Sequence, residues 1–357
     1  MVSCTIYYTH TYISKKTQPN QADQQKVPHM LLDYSPLNQP VSKADLAALK
    51  AIKTQQASKA TKVIFFIVAG CIAVSFIGTI AISTLLFGAN NLSMLAILPA
   101  AGIFIAIIII AIRKQAERRA RLYKFAVANG IQFLYAVTNP NYAGLIFDEG
   151  DSRQISDALL FKDGTEIGNY EYTTGSGKNR QTHVWGYVRI KLTRHLPNMV
   201  LDARKNNLFG SLTNLPDSFG RGQTLSLEGD FNNYFTLYAP KEYERDALYI
   251  FTPDVMAAVI DSGQAYDMEV IDDNFMLYST SPFALDSEAQ LKTLFSIVEK
   301  IGTELRDQSD YYADERVGDR AANMIAEPGR RLKTGANAGV IIGFIIMVMY
   351  FIFTTFS

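Results

Sequence analysis

Three stretches of the chain, 63–87, 92–112 and 336–356, carry no acidic or basic residue, and charged positions lie before the first two and between the second and third. At about 1.5 Å rise per helical residue, each is long enough to cross a hydrocarbon layer of roughly 30 Å. The first, VIFFIVAGCIAVSFIGTIAISTLLF, starts too late and runs too long for a signal peptide. The second follows after only Gly88, Ala89, Asn90 and Asn91. The pattern predicts a transmembrane hairpin over 63–112 and a C-terminal transmembrane helix over 336–356.

Basic flanks orient these spans. Lys43, Lys50, Lys53, Lys59 and Lys62 lead into the first; Arg113, Lys114, Arg118, Arg119, Arg121 and Lys124 leave the second; Arg330, Arg331 and Lys333 precede the third. Lysine and arginine near span ends stay on the cytoplasmic side, and acidic residues hardly affect the count. The expected topology has both hairpin ends and the intervening domain in the cytoplasm, with Ser357 outside, in a bacterial inner membrane. No charge interrupts the spans, which argues against a stand-alone ion transporter.

Residues 1–41 are polar, rich in Gln and Asn, and contain Pro19, Pro28, Pro36 and Pro40, which reads as a flexible polar arm in which TIYYTHTYI has the pattern of one strand. From Ser42 the pattern changes. Leu46, Leu49 and Ile52 share one helical face and Ser42 stands as a cap, predicting a juxtamembrane helix over 42–62 that is either interfacial or a solvated extension of the first span. Residues 113–130 keep helical composition up to Gly130, predicting a helical extension that projects into the cytoplasm. A soluble domain is expected over 131–327, followed by a basic linker over 328–335.

Within that domain, strand character is read at 131–135, 143–147, 165–172, 182–192, 199–202, 234–238 and 274–279, from β-branched and aromatic residues separated by polar gaps. Two helices interrupt them. PDVMAAVIDS has Thr252 as N-cap, Pro253 at the first helical position and Gly263 after it, with Val255, Val259 and Ile260 toward the core. SEAQLKTLFSIVEKIGTELRD pairs Ser287 with Gln290 as a capping box and carries a stripe of Leu291, Leu294, Val298, Ile301 and Leu305. Strands without a repeated βα alternation predict an α+β class: a mainly antiparallel-sheet cytoplasmic domain with helices, attached to three transmembrane helices.

Composition adds little. Hydrophobic content of 48% and a formal charge of zero average over both parts of the chain and do not suggest a nucleic-acid binder. Cys4 lies in the arm and Cys71 in the first span, so no disulfide framework or cysteine-rich metal site is available.

Candidate chemistry is thin. Thr174-Gly175-Ser176-Gly177-Lys178-Asn179 suggests a phosphate loop, but Asn179 stands where Ser or Thr is required and a strand pattern follows where a helix should open. It reads as a flexible hairpin, with Lys178 and Arg180 as the minority candidates for contact with an anion or partner. His10 and His29 lie in the arm, while His183 and His195 flank the strand of Trp185, and none has metal-ligand spacing. No G-x-S-x-G elbow occurs. Asp230, Glu242, Glu244, Asp246, Asp254, Asp267, Glu269, Asp272 and Asp273 read mainly as a solvated face, although any two meeting in space fit a paired-carboxylate hydrolase. No catalytic residue, cofactor or metal site is assigned. Gly339 and Gly343, one helical turn apart in the third span, are candidates for close helix packing, within this chain or in a homo-oligomer.

Residues 227–256, from Leu227-Glu228-Gly229-Asp230-Phe231 through Phe251-Thr252-Pro253-Asp254, resemble an uncharacterised family of bacterial membrane-anchored proteins. That resemblance implies an N-terminal hydrophobic hairpin followed by a soluble domain with an acidic-Phe strand, a charged Ala-containing stretch and a Thr-Pro helix. It spans about 116–300. The chain departs by its third span and by Asp246-Ala247-Leu248 where the family pattern has an Ala-Arg pair. Read physically, Phe231, Phe235 and Leu237 alternate as a strand, and Leu248 to Phe251 alternate again. Arg245 and Asp246 are the minority candidates for a binding edge. Two function classes follow: a noncatalytic membrane-anchored interaction or scaffold protein, with the bilayer and a membrane or cytoplasmic protein as partners, and a membrane-associated enzyme such as a hydrolase.

Overall fold

A computed structural model describes residues 32–56, 92–207, 213–319 and 321–335. The predicted spans 63–87 and 336–356, with Gly339 and Gly343, lie outside them. The chain is α+β with a mainly antiparallel sheet, as its β-branched and aromatic runs and the lack of a repeated βα alternation predicted.

Helix α1 (Ser35–Asn38) and α2 (Lys43–Gln56) precede the long α3 (Leu92–Ala128). A capping box starts α2: Asp45 N donates to Ser42 Oγ at 3.1 Å and Ser42 N donates to Asp45 Oδ2 at 2.8 Å. Gly130, at φ +65°, ends the last turn of α3, and Ile131 N bonds back to Ala126 O at 2.8 Å. Four strands then run as a meander, β1 (Gln132–Thr138), β2 (Asp151–Leu160), β3 (Glu166–Thr174) and β4 (Gln181–Ala203). Short β5 (Ser218–Phe219) and β6 (Thr224–Leu225) lead to α4 (Phe231–Tyr234), β7 (Phe235–Tyr238), α5 (Glu244–Ile250) and α6 (Pro253–Gly263). The chain closes with β8 (Asp267–Ser279), α7 (Glu288–Tyr311), α8 (Glu327–Arg330) and β9 (Thr334–Gly335).

Long β4 organises the sheet. Its first half pairs with β3 and its end with β7, while β8 runs along its other edge from Gly186↔Ser279 to Leu201↔Met268. Period-two alternation then sends side chains to opposite faces. Val188, Ile190, Leu192, Phe275 and Leu277 point to a face covered by helices, which contribute Phe125, Val255, Val259, Leu291, Leu294, Phe295 and Ile301. Tyr170, Trp185, Tyr187, Met276 and Tyr278 point to the other face, covered by Leu145, Ile146, Phe147, Leu215 and Leu332 from nonhelical segments.

Several expectations change. Residues 143–147 form turns rather than a strand, tucked against the sheet by Leu145, Ile146 and Phe147. Strand β2 was not foreseen, because DSRQISDALL alternates poorly and carries irregular pairing, with Ser152 and Asp157 at positive φ. The pieces 182–192 and 199–202 are one strand. Residues 244–250 form α5 and Phe231 opens α4, where an alternating strand was expected in each case. The described end of the 1–41 arm is docked: Leu37 is buried and Asp33 N donates to Asn129 Oδ1 at 2.7 Å. The 113–130 extension does not simply project, since Ala120, Leu122, Phe125 and Ala126 sit in the core. The 328–335 linker holds to the domain through buried Leu332, the Arg331–Asp272 pair at 2.9 Å and the β5–β9 ladder.

Among the described residues no helix is long and apolar enough to cross a membrane. Within α3, however, Ile103, Phe104, Ile105, Ile107, Ile109, Ile110 and Ile112 are all exposed, and the helix becomes core-facing only beyond them.

Candidate functional site

The nonhelical face of the sheet buries four carboxylates: Glu166 at the start of β3, Asp202 near the end of β4, and Asp267 and Glu269 at the start of β8. Register brings the last three together. Val200 pairs with Glu269 and Leu201 with Met268, and one further step sets Asp202 beside Asp267. A buried charge is costly unless it is paired or well hydrogen-bonded, so each group is defined by its partners.

Glu166 has the charged environment. Arg189 Nη2 donates to its Oε2 at 2.8 Å, Tyr142 OH to the same oxygen at 2.8 Å, and Tyr187 OH to Oε1. The Arg189 guanidinium lies 4.4 Å from the centre of the Tyr142 ring. Burial first, and Glu166 second, push the Tyr142 phenol up to about 12.

Glu269 has neutral donors only. Leu145 N and Tyr278 OH donate to Oε2 at 2.8 and 2.7 Å, and Asn198 Nδ2 donates to Oε1 at 3.0 Å. Asn198 is itself fixed by Leu332 N, which donates to its Oδ1 at 2.8 Å. Gly144 permits this approach: at φ +144°, any Cβ would fall 2.5 Å from the Tyr278 hydroxyl. Burial pushes the Glu269 carboxyl up to about 7, against the opposing pull of these hydrogen bonds.

Asp267 accepts from Ala203 N at 2.9 Å and from the Asn206 and Asn214 amides at 3.0 Å each, and burial pushes it up to about 7. Burial also raises Asp202, to which Asn207 and Thr213 donate.

Over this face opens a polar cleft of about 550 Å³ lined in part by Tyr142, Arg189, Lys191, His195, Asp272, Asp273 and Arg331. Its charges are largely paired with one another: Lys191 Nζ lies 2.5 Å from Asp273, Arg331 2.9 Å from Asp272, and His195 Nε2 4.0 Å from Asp273. No serine, threonine or cysteine nucleophile lines it. Glu269 is positioned to brace the fold rather than to reach a substrate, because it is only 3% exposed and both of its oxygens are engaged.

The residues singled out in the sequence fall elsewhere. Lys178 and Arg180 are exposed on the β3–β4 connection, a short 3-10 turn over Gly177–Asn179, and Arg180 donates to Ser152 and Thr173. Arg245 is exposed on α5 beside a surface cleft with Tyr249, Tyr311 and Tyr312. Asp246 is taken up structurally, by Arg316 at 3.0 Å and by the Tyr312 hydroxyl at 2.9 Å. The solvated-face reading holds for Asp230, Glu242, Glu244 and Asp254, which are exposed, and fails for Asp267 and Glu269. Their sequence signal was DMEVIDD, in which acids alternate with Met268 and Val270 inside a strand whose both faces are covered. Asn198 and Asn206 had none. Among the described residues, no group of three or more His, Cys, Asp or Glu side chains is arranged to hold a metal.

No protein-family model matches this chain, and no curated protein matches it. Among solved structures, the chain is similar to the mycobacterial trehalose monomycolate transport factor A, at 12% identity and a TM-score of 0.37, covering 53% of this chain and 94% of that one. Likeness at that level carries no argument about this chain.

Proposed function

We propose that the protein is a noncatalytic, membrane-anchored interaction or scaffold protein of the bacterial inner membrane, with an α+β domain in the cytoplasm and three membrane spans. The observation that supports it is the two-part character of α3. Seven large apolar side chains between Ile103 and Ile112 are exposed, on a helix that continues through Arg113, Lys114 and Arg118 into the packed Leu122, Phe125 and Ala126. A helix apolar all round is suited to lipid, and basic residues at its end suit the cytoplasmic interface. One unbroken helix then couples the bilayer to the core of the domain. The suggested kinship with the uncharacterised membrane-anchored family rests on 227–256 and accords with this layout. A partner protein is the expected ligand, with Arg245 and the exposed Tyr249 and Tyr311 as its contact candidates.

The test has two parts. In a Cys4→Ser/Cys71→Ser background, a membrane-impermeant thiol reagent on intact cells should label Asn90→Cys and Ser357→Cys and spare Lys114→Cys and Lys178→Cys. Reversed labelling overturns the topology. Crosslinking from Arg245→Cys in intact membranes should capture a reproducible protein partner; none would weigh against the scaffold reading.

A membrane-associated hydrolase is the second reading, favoured by Asp273 beside His195 in the cleft. Hydrolysis of ester or phosphoester substrates, abolished by Asp273→Asn, would establish it.

A further inference from the structure

Where the end of β4 meets the start of β8, the side-chain amides of Asn206 and Asn214 reach Asp267 and that of Asn207 reaches Asp202. We propose that Asp202, Asp267, Asn206, Asn207 and Asn214 form a site for one divalent cation, of the hard, oxygen-seeking kind that calcium represents.

Charge is the first argument. Asp202 is 3% and Asp267 0% exposed, the sheet register sets them side by side, and among the described residues neither forms a salt bridge. Arg204 favours the charged form of Asp202 only from a distance. Two adjacent buried carboxylates without a counter-ion repel each other, and the protein supplies only neutral donors.

Orphaned oxygens are the second and independent argument. Asp202 Oδ1 and the Oδ1 atoms of Asn206, Asn207 and Asn214 are all buried without a hydrogen-bond partner. They make four of the seven such side-chain atoms among the described residues, gathered in one place. Turning the amides over does not remove the problem. The Asn206 and Asn214 nitrogens already serve Asp267 and that of Asn207 serves Asp202, so a flip takes a donor from a carboxylate and buries an unpaired N–H instead. Groups with only lone pairs left over are satisfied by a cation or by a donating water, and two buried carboxylates at the same place favour the cation.

Donor chemistry selects the class. Every candidate ligand is a carboxylate or amide oxygen, with no thiolate or imidazole, which disfavours zinc and copper. Two negative charges match one divalent ion. Four unpartnered side-chain oxygens in an irregular set, with the Asp267 carboxylate beside them, suit calcium, which accepts six to eight ligands, better than magnesium, which keeps its waters and demands an octahedron.

The experiment is calorimetric titration of the full chain in detergent micelles, washed with chelator, with CaCl2 and separately MgCl2 at pH 7.5, alongside thermal unfolding. The expected result is saturable uptake of one Ca2+ per chain, a rise in Tm, and Mg2+ weaker by about tenfold or more. Asp202→Asn should abolish uptake and Asn207→Ala should weaken it by about tenfold or more, while Asp254→Asn, on exposed α6, binds as the parent does. Uptake undiminished in both site variants overturns the proposal. So does a folded parent chain that takes up no Ca2+ and whose Tm is unchanged by it. Parent-chain binding is measured directly, so a variant that fails to fold does not protect the idea.

Discussion

The two faces of the sheet are built from the same strands and solve burial differently. On the helical face, α3, α6 and α7 bring stripes of Leu, Ile, Val and Phe, and a helix satisfies its interior backbone groups by itself. On the other face the cover is nonhelical, so loop backbone arrives with free N–H groups that must find acceptors. They find side chains: Leu145 N donates to Glu269 and Leu332 N to Asn198, and at the last residue of β4 Ala203 N donates to Asp267. Buried acids and amides on this face are thus the counterpart of having loops as a lid. The face that joins the domain to α3 is apolar and mechanical, and the other is polar and titratable.

Breaking the mechanical face should have the largest effect. Phe125 is fully buried, with its ring centre 5.5 Å from that of Tyr34 and 6.4 Å from that of Phe295. Phe125→Ala should destabilise the domain by about 3–5 kcal/mol, through lost transfer energy plus the cavity left behind. Thermal unfolding of the full chain in micelles checks this.

Titrating the polar face should come next. Glu269 and Asp267 have folded values near 7, above their ordinary 4.5 and 3.8, so between about pH 5 and 7 the folded state holds protons the unfolded state has released. Their contribution is therefore complete at low pH and is lost as pH rises through 7. Each should steepen the decline by about 1.4 kcal/mol per pH unit in that window. Asp272, Asp286 and Asp314 are lowered instead, each held down by an arginine, and Asp314 also by the Tyr243 hydroxyl, which outweighs burial; their contribution is lost only below about pH 4. Stability should peak near pH 5. Trp185, the single tryptophan, lies in the polar-face cluster and reports its unfolding by fluorescence. Glu269→Gln should flatten the slope between pH 5 and 7, and an unchanged slope would remove Glu269 as its source.

Away from both faces, the effect should nearly vanish. Lys178 is exposed on a turn, and Lys178→Ala should change stability by less than about 0.5 kcal/mol. The same variant should leave any nucleotide affinity unchanged, which equilibrium dialysis with ATP checks. Loss of saturable binding would restore the phosphate-loop reading.

Legibility in the sequence follows the same division. The capped, striped α6 and α7 were readable because Thr252 and Ser287 mark their starts and the apolar period is 3.6. Alternating β3 and the first half of β4 were readable for the period of two. Residues 143–147 misled because a buried loop can be as apolar as a strand, and α5 misled because ALYIF is too short to separate the two periods. The acidic site was hidden for a different reason. Asp202 meets Asp267 and Glu269 only through the β4–β8 register, across 60 or more residues, and Asp267 read as part of a solvated face until β8 was seen to begin there.

The proposal that carries the functional reading is that α3 passes from lipid into the domain as one helix. Its most direct test is a nitroxide scan of single cysteines along α3 in reconstituted bilayers, at Ile103, Ile107, Ile110, Lys114, Glu117 and Val127, comparing collision with oxygen and with a water-soluble nickel chelate. The account predicts oxygen-accessible, nickel-protected labels from Ile103 to Ile110, and nickel access from Lys114 onward. Equal nickel access at Ile103, Ile107 and Ile110 would contradict it.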